Sequence, residues 1–78
     1  MKIKKSADLA AFLQRAQSCR HDVYFDTAEG DHLNLKSMLS QFVFAAVAGK
    51  LDELSYRIVA DEEDRELLSP YLSEEDDG

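Results

Sequence analysis

Few residues of this 78-residue chain could do chemistry: Cys19 and His21, His32, the acidic run Asp61 to Asp64, and Ser37. Ser37 stands at the head of NLKSMLSQFVFAAVAGK, in front of an apolar run richer than one buried helix face requires. Its hydroxyl could take a phosphate, whose charge the free N–H groups of a helix N-terminus would favour. Serine is equally a preferred N-cap, worth about 1 kcal/mol to a helix, and both readings stand on the sequence. Cys19 and His21 form a C-x-H pair, but zinc takes three or four ligands, and His32 lies across a predicted turn without companions. No metal site is therefore expected, and both histidines read as partly exposed strand-end residues. The run DEED lacks the D-x-D-x-D-G spacing and distal glutamate of a calcium loop, so it reads as the solvated start of a helix. No Gly-rich phosphate loop, nucleophile triad or isolated carboxylate pair is present, so neither an enzyme nor a cofactor is expected.

Nine basic against sixteen acidic side chains give a net charge of −7, which repels nucleic-acid phosphates and anionic membrane surfaces. The longest uninterrupted apolar run, Phe42 to Ala48, is far short of a bilayer span, and no signal-peptide stretch opens the sequence. With a single cysteine there is no internal disulfide, and a cytoplasmic location is expected. The basic side chains gather in the first twenty residues, while acids crowd the last third. Residues 1–72 read as one domain, and 73–78, SEEDDG, as a disordered acidic tail with too little apolar surface to order it.

Periodicity supplies the elements that must position these residues. MKIKK is a short strand candidate. Leu9, Phe12, Leu13 and Ala16 recur at helical spacing, with Ser6 as the expected N-cap. HDVYFD and HLNL alternate on either side of a turn through Gly30, which predicts a hairpin. A second helix is predicted from Ser37 to Ala48, with Gly49 free to take the left-handed terminal conformation. ELSYRIVA alternates again as a strand, and DEEDRELLSPYL reads as a third helix that Pro70 must kink or end. This order, βαββαβα, predicts an α+β open-faced sandwich: an antiparallel sheet of about four strands covered on one face by three helices.

This order, together with DVYFDTAEGDHLNLKSML, resembles the HPr family, the histidine-containing phosphocarriers of the bacterial sugar phosphotransferase system. The likeness runs from about Ser6 to Leu72, and its most specific part is the hairpin leading into NLKS with Met38 and Leu39 behind it. The family carries its histidine in a loop of the type G-[LI]-H-A-R-P at the start of the first helix; here the text is KIKKSAD. Lys5 falls at the histidine position, Ala7 at the arginine and Asp8 at the proline. A lysine ammonium at neutral pH is a poor phosphoryl acceptor, so the resemblance implies a divergent member without carrier chemistry.

In that family the serine opening the second helix is often a regulatory phosphorylation site, and Ser37 falls on it. The residues after it form an exposed patch for partner proteins, which carries over to Met38, Leu39 and Phe42; Gln41 departs from the usual aliphatic residue. On a helical wheel Phe42 and Phe44 point different ways, so the helix is either deeply buried or meets a partner with a second face. The expected function is that of a regulatory or protein-interaction domain whose partners are phosphotransferase components or a regulator. A phosphoryl carrier working through another residue, and a generic scaffold dimerising through the same helix, remain open.

Overall fold

Val23 and Phe25 alternate with polar neighbours, and the chain uses that alternation to build a sheet with one buried face. The computed structural model describes residues 1–73. Its elements are β1 (Lys2–Ile3), α1 (Leu9–Ser18), β2 (Val23–Thr27), β3 (His32–Asn34), α2 (Met38–Val47), β4 (Tyr56–Ala60), α3 (Arg65–Leu68) and β5 (Leu72–Ser73). Turns of 3-10 helix cover Ala48–Glu53 and Glu62–Asp64. The fold is a small α+β domain with three α-helices and two antiparallel sheets among the described residues.

The larger sheet has the order β3-β2-β4, with Phe25 opposite Leu33 on one side and Ile58 on the other. The smaller pairs β1 with β5, Ile3 opposite Leu72. The two adjoin along β4, where Ile58 N donates to Met1 O at 2.7 Å and the Tyr56 hydroxyl accepts from Ile3 N at 3.0 Å. The hairpin between β2 and β3 turns at Gly30, whose φ of 103° is unfavourable for any residue with a Cβ.

The inward side chains of the sheet, Val23, Phe25 and Ile58, meet Phe12 and Ala16 of α1, Phe44 of α2 and Leu68 of α3 in one core. The opposite face, with Tyr24, Asp26, His32, Arg57 and Val59, carries no helix. Arg15 ties α1 to α3 by donating from Nη1 to Leu67 O at 3.1 Å.

Five expectations require correction. Asp8, not Ser6, caps α1: its Oδ1 accepts from Ala11 N at 3.1 Å, while the preceding residues close a turn through Ala7 N to Lys4 O. Gly49 does not end α2 in the left-handed conformation. The chain runs on as two 3-10 turns kinked at Lys50, ending at Glu53, with Leu51 and Leu54 packed on the core. The third helix is one turn of 3-10 followed by one of α, and the chain then turns through Pro70 into β5. Among the described residues, five strands in two sheets thus replace the expected single sheet of about four. Ser73, assigned to the tail, pairs with Lys2 instead; the rest of the expected tail lies outside the described residues.

Candidate functional site

The segment Asn34 to Ser37 is built by its own polar groups. Asn34 Oδ1 accepts from Lys36 N at 3.0 Å, and Asn34 O accepts from Ser37 N at 2.9 Å, which turns the chain from β3 into α2. Lys36 stretches back across the end of α1 and donates from Nζ to Cys19 O. Ser37 then sits in extended conformation at the N-cap, its Oγ accepting from Ser40 N at 3.5 Å. A cap this long works at the weak end of the range. Ser37→Ala is expected to cost about 0.5 kcal/mol, a fall in Tm of about 3 °C in a thermal melt.

The orientation of α2 decides what it offers. Phe44 is fully buried, in T-shaped contact with Phe25 at 5.2 Å between ring centroids and tilted against Phe12 at 6.4 Å. Gln41, at the usually aliphatic position, points the same way. Its Nε2 donates to Leu35 O at 2.9 Å and Leu13 O at 3.3 Å, so it binds α2 to the ends of β3 and α1. With Phe44 and Gln41 inward, the opposite side presents Met38 at 64% exposure, Leu39 at 73%, Phe42 at 69% and Val43 at 46%, with Ala45 and Ala46 beside them. From Ser37 to Gly49 there is no charged side chain. The three residues that the resemblance marks as a docking patch, Met38, Leu39 and Phe42, thus lie together and outside the core; Val43, which sequence reasoning left out, extends them. Its wheel position between Leu39 and Val47 was the available signal.

At the N-terminus of α1, where the resembled family carries its phosphohistidine, Lys5 is exposed beside Lys4, Leu51 and Asp52. The helix end itself is taken by the Asp8 carboxylate. An anion placed there would meet a like charge, and the free N–H groups that attract phosphate are partly used.

Neither histidine lies near that helix end in sequence or hydrogen bonding. His32 stacks on Tyr24 at 4.0 Å between centroids, with Nδ1 2.5 Å from Asp26 Oδ1, on the uncovered sheet face. His21 follows α1 and lies against the turn Asp61–Asp64: its Nδ1 is 3.2 Å from Asp64 Oδ2, and its Nε2 is 3.6 Å from Glu63 Oε1. Sequence reasoning sought companions for His21 in Cys19 and His32; they come instead from a segment forty residues away. Cys19 is buried, as expected of a residue packed at a helix end. Burial, then the nearby Asp64 charge, push its thiol up against the weaker pull of Lys36, which disfavours the reactive thiolate.

No helix among the described residues is long and apolar enough to cross a membrane. Compared with protein-family models, curated proteins and solved structures, the chain matches none.

Proposed function

We propose that the chain is an HPr-like, non-catalytic protein-interaction domain that docks on phosphotransferase-system proteins through α2 and carries no phosphoryl group on histidine. The observation that carries this reading is the uncharged, outward apolar face of Met38, Leu39, Phe42 and Val43. An exposed, contiguous apolar helix face in a chain this acidic is a surface suited to burial against a partner. The small sheet β5-β1 lies against β4 at the edge of the sheet β4-β2-β3, with the helices on one face, an arrangement compatible with the family's open-faced sandwich. Loss of the carrier step is supported by Lys5 at the histidine position and by Asp8 at the helix end that would hold the phosphate. Ser37, exposed beside the patch, is the site where a serine kinase would regulate docking, since a phosphate there places two negative charges next to Met38.

The test is competition. With phosphoenolpyruvate, the general phosphotransferase enzyme and a genuine HPr, the chain is expected to slow phosphorylation of HPr while taking no acid-labile phosphate itself. Phe42→Asp is expected to stay folded, because the side chain is exposed, and to abolish the competition. Acid-labile label on the chain, or no competition from the wild type, would overturn the reading.

A further inference from the structure

Three side chains outside the α2 surface converge where α1 passes into β2. One ring nitrogen of His21 and one carboxylate oxygen from each of Asp61 and Glu63 lie within 4.8 Å of one another, and all three residues are exposed. We propose that His21, Asp61 and Glu63 bind a divalent transition-metal cation of the zinc class, with Asp64 holding the imidazole from behind.

The donor set fits that class. One imidazole nitrogen with two carboxylates is a nitrogen-and-oxygen set of the kind zinc accepts, with the remaining coordination taken by water. A calcium ion would demand six or more oxygens, and an imidazole does not serve it.

The framework fixes the ligands against each other before any ion arrives. Asp64 is buried, and its two oxygens accept from Arg20 N and His21 N at 2.9 Å each, which fastens the backbone of His21 to the turn that carries Asp61 and Glu63. Asp64 Oδ2 also faces His21 Nδ1, an arrangement in which a carboxylate holds one ring nitrogen and leaves the other as the metal donor. That other nitrogen, Nε2, is 3.6 Å from Glu63 Oε1, while Asp61 Oδ1 lies 3.8 Å from Nδ1, so the Asp61 carboxylate has to swing toward Nε2 to join the ion. Asp61 is oriented in its turn, since its Oδ1 accepts from Glu63 N at 2.9 Å and its second oxygen is left for a ligand. Donors bonded to one ion at about 2.1 Å stand roughly 3.4 Å apart in a tetrahedron, so closing the site takes shifts of about 1 Å in exposed side chains.

Charge favours the ion as well. Residues 61 to 64 are four successive acids, and the His21 ring lies within 4 Å of three of them. A dication relieves the repulsion among them.

The experiment is a calorimetric titration of the whole chain with zinc chloride, run beside proton NMR of the two histidine rings. One equivalent is expected to bind, and the His21 ring signals are expected to move while those of His32 stay in place. His21→Gln and Glu63→Gln should each weaken binding at least about 10-fold. Glu62→Gln, the same charge change one residue away, should leave it unaltered. Far-UV circular dichroism checks folding, and Glu63, being exposed, can be replaced without disturbing the core. The site is disproved by absence of saturable binding, by movement of His32 in place of His21, by either ligand variant binding as the wild type does, or by Glu62→Gln weakening binding as much as Glu63→Gln. The last result would mean diffuse attraction to an acidic surface.

Discussion

Phe44→Ala is expected to cost 3–5 kcal/mol, the usual toll of removing a fully buried phenylalanine, and Phe42→Ala to stay within about 0.5 kcal/mol of wild type. The two residues are neighbours but one in the same helix, with the same side chain. Phe44 has no exposure and joins Phe12 and Phe25 across the junction of both long helices with the sheet, so its loss opens a cavity at the centre of the core. Phe42 is 69% exposed and leaves only solvent behind. A domain of this length holds roughly 4–12 kcal/mol in all, so Phe44→Ala removes a large share of its stability. Urea unfolding of both variants reads the difference directly. Equal losses would mean that α2 is turned about its axis and that Phe42 is core, and the docking surface would go with it.

The helical wheel separates Phe42 from Phe44 but does not say which is buried. That choice lies in Gln41, whose amide must satisfy two backbone carbonyls, Leu13 O and Leu35 O, contributed by other elements. Since those carbonyls belong to distant parts of the chain, no local pattern reveals them. The hairpin was legible because Gly30 and the alternation around it are local signals, and the same is true of β4. β5 was not, because two residues after a proline form a strand only when β1 offers them an edge. Ser6 and Asp8 are both acceptable caps by residue type; the turn at Lys4 to Ala7 selects Asp8. The cluster around His21 was hidden for the reason that hid the role of Gln41. The sequence neighbours of each histidine carry no sign of it, because the approach of the turn at Asp61 depends on the β2–β4 register.

Asp64→Ala is expected to lower Tm by about 10 °C, because two part-buried backbone donors lose their buried acceptor together. Those donors, Arg20 N and His21 N, lie more than forty residues from Asp64, so the carboxylate joins the α1–β2 connection to the end of β4. The same contacts make its contribution depend on pH. Burial alone would push the carboxyl up. The N–H groups of Arg20 and His21, the His21 ring hydrogen bond and the charge of that ring outweigh it, and the group titrates below its ordinary value. A carboxyl lowered in the folded state adds stability that is fully present above its unfolded value of about 3.9 and is lost as pH falls through the folded one. Asp64→Asn keeps an acceptor for one donor and has no charge to titrate. Its Tm deficit against wild type should therefore shrink as pH falls below about 4. Every other carboxylate is common to both proteins, so the change in that difference below about pH 4 belongs to Asp64. A deficit that stays level to the lowest pH at which both fold would show that Asp64 titrates alike in the folded and the unfolded chain, and that its charge adds nothing to its two backbone bonds.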